Sequence, residues 1–348
     1  MKKKIVGLML AALMAMTVFA GCGSTDDGAA NAGTEAETDT EVSDDTEEGD
    51  DVINIGVIQQ MKHGSLDAAY EGFVDGLEEA GYVDGENIKV NYQNASGDLN
   101  TCQQICDVFK NDGTDMVLAI ATNAAQSAVN VFQETEVPVL FTAVTDPVDA
   151  GLVDSNEAPG KNVTGTSDMP VIADQIAVIK EVLPEAKTLG ILYTSSESNS
   201  ELQANEAKAA AEALGFEVII QTASTTNDIA QVVQSVVGSV DAVYIPSDNA
   251  FASSMATVNQ KAVEGQLPVF CAVEDMIKEG GIATTAVDYY ELGKQTAAQA
   301  VRILEGEAAS EIPVETQKEF AMVVNKTFAE SVGVEVPASV LDKAATVY

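Results

Sequence analysis

Polar side chains able to hold a ligand recur in short loops that directly follow apolar runs. In the first half of the chain Gln60, His63, Ser65 and Asp67 stand in QQMKHGSLD, Thr122 and Asn123 in TNAAQ, and Thr145 and Asp146 in VTDP. In the second half Ser196 and Asn199 stand in TSSESNS, Asp248 and Asn249 in SDN, Glu274 in VED, and Asp288 and Tyr289 in VDYY. Taken singly, a Ser, Thr, Asp or Asn in such a place is an ordinary helix N-cap worth about 1 kcal/mol. Taken together they offer hydroxyls, amides and carboxylates, which suit the grip of a small polar molecule. Catalysis is poorly supplied. His63 is the only histidine, which removes most acid–base designs, although not a carboxylate-only one. His63 itself reads equally as a ligand contact or as a loop residue. The first strand runs into QQMKHGSLD rather than G-x-G-x-x-G, and neither G-x-x-x-x-G-K-[ST] nor G-x-S-x-G occurs, so dinucleotide, phosphate-loop and nucleophile-elbow chemistries lack their motifs.

The elements that position these loops alternate. INIGVIQ (53–59), IKVNYQN, MVLAIA and VPVLFTAV read as strands, separated by helical stretches LDAAYEGFVDGLEEAGY, LNTCQQICDVFKNDG and TNAAQSAVNVFQE. After a longer connection and the short strand VTGTSD, a second series follows: helices near 171–183, 199–214, 227–237, 251–264, 274–279 and 291–305, between strands TLGILYTS, EVIIQTA, DAVYIPSD, LPVFCAV and IATTAVDYY. Strands separated by helices of about 10–15 residues imply βαβ units and parallel sheets. Two series imply an α/β fold of two doubly wound parallel-sheet lobes. In such sheets ligands bind outside the carboxyl ends of the strands, where the polar loops lie.

Composition agrees with buried parallel sheets. Hydrophobic residues make up 46% of the chain but aromatic ones only 5%, with no Trp, so Ala, Val and Ile must fill the interior. The net charge of −38 offers no basic patch to displace counterions from nucleic acid, so no nucleic-acid partner is expected. Cys102, Cys106 and Cys271 fall in a helix and an apolar strand and read as small buried hydrophobes. With a single histidine, neither a metal nor another cofactor is expected.

The N-terminus is of a different kind. Lys2, Lys3 and Lys4 precede an apolar run ending in VFAGC, the pattern of a secretory leader over residues 1–21. Small residues before Cys22 resemble a bacterial lipobox, with Phe19 where Leu is usual. Cys22 is therefore the expected lipidation site. Residues 22–51 carry Asp26, Asp27, Glu35, Glu37, Asp39, Glu41, Asp44, Asp45, Glu47, Glu48, Asp50 and Asp51 with no Lys or Arg. Such a segment cannot bury enough to fold and reads as a tether with a span of roughly 30 Å. The expected location is the cell membrane, lipid-anchored and facing outside the cytoplasm.

From residue 53 onward, IGVIQQMKHGSLDAAYEGFVDGLEEAGY, AVTDPVDAGLV, GTSD, LYTSSESNS, IPSDN and TTAVDYYELGKQT resemble the tryptophan-binding type of ABC transporter substrate-binding lipoprotein. The resemblance departs at Thr122-Asn123, where Thr-Pro is usual, and at His63-Gly64-Ser65, where His-Pro-Ala is commoner. It implies a type I periplasmic-binding-protein fold with three crossings between lobes, the first built from 52–166 and 289–319, the second from 167–288 and 320–348. It also implies a non-enzymatic function: hinged capture of an amino acid, aromatic or large and apolar, and delivery to a membrane permease and its ATPase. On that reading Thr122, Asn123 and Thr145 hold the carboxylate, and Glu274 or Asp248 the ammonium, with Asp146 and Asp288 next in line. A nucleoside-binding lipoprotein or a ligand sensor of the same fold remains open, as does, more remotely, a Rossmann-like enzyme.

Overall fold

The computed structural model describes residues 52–348. The leader, Cys22 and the acidic segment through Asp51 lie outside the described residues. The first lobe opens with β1 (Ile53–Gln59), α1 (Gly64–Glu79), β2 (Ile88–Asn94), α2 (Leu99–Asn111), β3 (Met116–Ile120), α3 (Thr122–Phe132), β4 (Val139–Val144) and β5 (Val163–Ser167). The second contains α4 (Ile172–Val182), β6 (Thr188–Thr194), α5 (Ser198–Ala213), β7 (Glu217–Ala223), α6 (Ile229–Val236), β8 (Ala242–Ile245), α7 (Asn249–Ala252), α8 (Met255–Gly265), β9 (Val269–Cys271), α9 (Glu274–Gly280) and β10 (Ala283–Ala286). The chain then returns through α10 (Tyr289–Leu304) and β11 (Glu315–Thr316) to the first lobe, and ends in the second with β12 (Ala321–Val324), α11 (Lys326–Ser331), α12 (Ala338–Leu341) and β13 (Thr346–Val347).

Both lobes are wound alike. The first sheet has the order β11-β5-β4-β3-β1-β2 and the second β7-β6-β8-β9, every pair parallel. The central strands β3 and β4 are buried at every position, as their largely apolar runs require, whereas the edge strands β2 and β7 include exposed residues. One departure from parallel winding occurs at the end of the chain. There β10 pairs antiparallel with β12, and β13 joins β12. The last crossing brings β12 in from the opposite end of the lobe, so it can only run against β10.

The lobes are joined at residues 168–171, 287–288 and 317–320. The last two strands of this hinge are tied side by side: the Gln317 amide donates to the Asp288 carbonyl at 2.6 Å and accepts from the Asp288 N–H at 3.0 Å. Helix α10 is held in the first lobe by close approach to α1. A Cβ at Gly293 would strike the Ala69 carbonyl oxygen, and one at Gly72 the Tyr290 carbonyl oxygen, so the two backbones touch where only glycine fits. Cys102, Cys106 and Cys271 are buried free thiols. Burial pushes Cys102 up to about 11 and Cys106 up to about 12, leaving both protonated and inert.

Candidate functional site

In each sheet the strand order reverses between the first strand and its neighbour: at β1 and β3 in one lobe, at β6 and β8 in the other. Such switch points open a crevice at the carboxyl ends of the strands, and here the two crevices face each other. Side chains bridge the gap. His63 Nε2 lies 3.1 Å from Asn249 Oδ1, Gln203 Nε2 donates to Thr145 Oγ1 at 2.8 Å, and Asn123 Nδ2 donates to the Ser196 carbonyl at 3.4 Å. The lobes are therefore closed on one another. Between them lies a narrow enclosed space, lined by His63, Ser65, Leu66, Ala143, Asp168, Asn199, Ser247, Asp248, Asn249, Ala252, Val273 and Tyr289.

What distinguishes this cavity is a set of buried acceptors without partners. Asp168 follows β5 at the first crossing and is 4% exposed. Tyr289, the first residue of α10, donates its hydroxyl to Asp168 Oδ2 at 2.6 Å, while Oδ1 has no partner. Burial raises the Asp168 pKa above its ordinary value, and the Tyr289 hydrogen bond opposes the rise. Tyr289 is in turn pushed well above the usual phenol range by burial and by the Asp168 charge, so it stays a donor. Asn199, in the first turn of α5, gives its amide N–H to the Ser247 carbonyl at 2.9 Å and leaves Oδ1 unpaired. An unmade buried hydrogen bond costs about 1–3 kcal/mol, and a ligand carrying donors would remove that penalty.

The His63 tautomer follows from its neighbours. Asn249 Nδ2 donates to Glu197 Oε2 at 2.6 Å, so Asn249 Oδ1 is an acceptor and the facing His63 Nε2 carries the hydrogen. Burial lowers the His63 pKa below 6.5, against the pull of the Asn249 hydrogen bond and of Asp275 and Asp67. The ring is thus neutral, and its Nδ1, buried and unpartnered, presents a lone pair.

Two buried carboxylates build the second-lobe wall. Glu197 accepts from the N–H groups of Asn249 and Ala250, both at 3.0 Å, and so closes the N-terminal end of α7. Asp248 accepts from the Thr194 N–H and hydroxyl and caps α7 through the Phe251 N–H at 2.9 Å. Burial raises both carboxyls above their ordinary values, Glu197 further through the Asp248 charge. Their oxygens are committed to the scaffold.

Of the residues singled out in the sequence, the cavity gathers His63, Ser65, Asn199, Asp248, Asn249 and Tyr289. Gln60, Asn123 and Ser196 line an outer mouth between the lobes, where Gln60 Oε1 accepts from the Asn123 N–H at 3.2 Å. Thr145 Oγ1 accepts from Gln203, and its hydroxyl helps to hold the Asp168 carboxyl down against burial. The remainder are placed elsewhere. Asp67 is bonded to Gln59 at 2.7 Å, and Thr122 is buried at the start of α3. Asp146 turns back on the N–H groups of Val148 and Asp149. Glu274 faces a separate depression and accepts from the Tyr348 hydroxyl at 2.8 Å, and Asp288 caps α10. Glu197 and Ser247 belong to the TSSESNS and SDN loops read from the sequence, whereas Asp168 and Gln203 stand outside both. Asp168 obeys the same strand-end rule but opens a crossing rather than a helix of its own lobe. Backbone strain collects here as well: Ala121 (φ 79°) and Ala143 (φ 56°) both have left-handed φ at the ends of β3 and β4, as functional sites often tolerate. Among the described residues no group of acids, cysteines and histidine could hold a metal ion.

The family described as ABC transporter substrate binding protein matches residues 54–348. The chain belongs to that family. A tyrosine-binding protein of Clostridioides difficile is 37% identical over 324 residues, covering 93% of this chain and 90% of the relative. Among solved structures, an ABC domain from Streptococcus pneumonia in complex with L-Trp is 37% identical with a TM-score of 0.82, covering 85% of this chain and 100% of that one. The ligand-free, open structure of a substrate-binding protein with adhesive properties from Clostridium difficile is 40% identical, with a TM-score of 0.64 over 85% of this chain and 99% of that one. A substrate-binding protein of this family has the type I fold of two hinged lobes. The present chain superposes better on the L-Trp-bound relative than on the open one despite the lower identity, in keeping with its closed cleft. Members of the family are binding proteins, and the committed carboxylates found here fit a scaffold for binding rather than for turnover.

Proposed function

We propose that this substrate-binding protein captures an aromatic L-amino acid by lobe closure and hands it to an ABC permease. One observation carries the ligand reading: Asp168, a buried carboxylate with one oxygen held by Tyr289 and the other unpartnered at the closed cavity. A buried anion without a countercharge is costly, and a ligand ammonium supplies the charge and the donors. Asn199 Oδ1 offers a second acceptor, and Ser247, bonded to Asn199, a hydroxyl for the ligand carboxylate. The apolar remainder of the lining, Leu66, Ala143, Ala252 and Val273, suits a ring. The relatives' ligands, tyrosine for one and L-Trp for another, support an aromatic side chain. On this reading the ammonium site is Asp168, in place of Asp248, both of whose oxygens are already bonded, and of Glu274, which faces a separate depression.

Closure is part of the function. The bonds from His63, Gln203 and Asn123 cross the cleft, so a ligand that satisfies the cavity acceptors favours the closed state over the open one. Lipidation at Cys22 and an acidic tether would hold the body at the outer face of the membrane, near the permease. A thermal-shift screen of amino acids, nucleosides and sugars tests the ligand class, since a ligand at 100 times its Kd adds about 2.7 kcal/mol. A shift with nucleosides or sugars and none with amino acids would overturn it.

A further inference from the structure

The cavity's unpartnered acceptors fall into two groups. Asp168 and Asn199 belong to the hinge and the start of α5, where Tyr289 and Ser247 hold them. His63 belongs to a different network, the chain His63–Asn249–Glu197 across the cleft. The carboxylates that pull the His63 pKa upward against burial are Asp275 and Asp67. Apolar side chains line the same space: Leu66, in the first turn of α1, and Ala252, three residues after Asn249 on α7. The cavity thus presents the carboxylate and amide acceptors of Asp168 and Asn199 as one set and the lone pair of His63 Nδ1, held by a separate network, as another.

We infer that His63 is the specificity-determining residue of this cavity, selecting aromatic amino acids whose ring edge carries a hydrogen-bond donor. Its Nδ1 accepts from the phenol O–H of tyrosine or the indole N–H of tryptophan, and phenylalanine leaves it unpaired. The inference rests on the amino-acid reading above and deepens it. Nε2 cannot play this part, because its hydrogen is directed at Asn249 Oδ1. Nor can Nδ1 serve a neighbouring protein group, since it has none within bonding distance. A site built to accept from a ligand donor rejects the analogue that lacks it, because a buried polar atom is then stranded.

The test is a calorimetric ligand series on the full chain and on His63→Leu. Tyrosine, phenylalanine, O-methyltyrosine, tryptophan and 1-methyltryptophan are titrated in turn. The expected result for the unmodified protein is about a tenfold preference for tyrosine over phenylalanine and O-methyltyrosine, and for tryptophan over its N-methyl derivative. In His63→Leu the tyrosine-to-phenylalanine ratio should fall to near one. Equal affinity for tyrosine and phenylalanine in the unmodified protein would overturn the inference, and this arm stands even if His63→Leu does not fold. An equal loss for both ligands in His63→Leu would also overturn it, assigning His63 to lobe closure or to the ammonium and carboxylate end while leaving the amino-acid reading intact. No response to any amino acid would instead remove the reading beneath it.

Discussion

Tyr289 and Asp168 meet across the hinge, 2.6 Å from hydroxyl to carboxylate, the one from the start of α10 and the other from the end of β5. The bond uses one carboxylate oxygen, fixes the direction of the other, and joins the first and second crossings between the lobes. On the proposed reading, ligand charge and hinge geometry meet in this single side chain.

Asp168→Asn separates charge from shape. The amide oxygen can still accept from Tyr289, but no anion remains to pair with an ammonium. Charge-assisted hydrogen bonds contribute about 1.5–3 kcal/mol, so affinity for the amino acid should fall roughly ten- to a hundredfold. The melting temperature of the ligand-free variant should be unchanged or higher, because a buried uncompensated charge is gone. Unaltered affinity in calorimetry would place the ammonium elsewhere.

Glu197 gives a pH signature. Burial and the Asp248 charge raise it from 4.5 to about 8, so between those values the folded chain keeps a proton that the unfolded chain has released. The stability from this group is fully present below pH 4.5 and is lost as pH rises through about 8. Melting temperature measured across that window should therefore fall less steeply in Glu197→Gln than in the unmodified protein. Parallel curves would contradict the assignment.

The contact between α1 and α10 admits no side chain at Gly293 or Gly72. Gly293→Ala forces two backbones apart, and overpacking of this kind costs about 1–3 kcal/mol. Differential scanning calorimetry should show a lower melting temperature, and an unchanged one would mean that the helices slide freely.

Anchoring is tested at Cys22. With Cys22→Ser the protein should leave the membrane fraction for the soluble one after cell fractionation. A variant as firmly membrane-bound as the unmodified chain would refute lipid attachment there.

The α/β architecture was legible because period and run length carry it. Fully apolar runs such as MVLAI mark central strands, while mixed ones such as IKVNYQN mark an edge. The antiparallel pair β10–β12 was not legible, since strand direction follows from where a crossing delivers the chain. The candidate site was legible only as a set of strand ends. Asp248 and Asp168 follow strands in the same way, yet Asp248 spends its carboxylate on Thr194 and Phe251 while Asp168 keeps an oxygen free. Local sequence cannot separate a cap from a ligand acceptor, because the difference lies in which distant N–H groups arrive. Glu274 is likewise drawn outward by Tyr348 from the far end of the chain.

The central claim is that the closed cavity holds an aromatic amino acid by its ammonium and its ring. Isothermal titration of the full chain with L-tyrosine, L-tryptophan and the desamino analogue 3-(4-hydroxyphenyl)propionate tests it most directly. The account predicts saturable one-to-one binding of at least one of the two amino acids, and at least a tenfold loss when the tyrosine ammonium is removed. Binding of the desamino acid as tight as that of tyrosine, or saturation by a nucleoside with silence toward every amino acid, would contradict it.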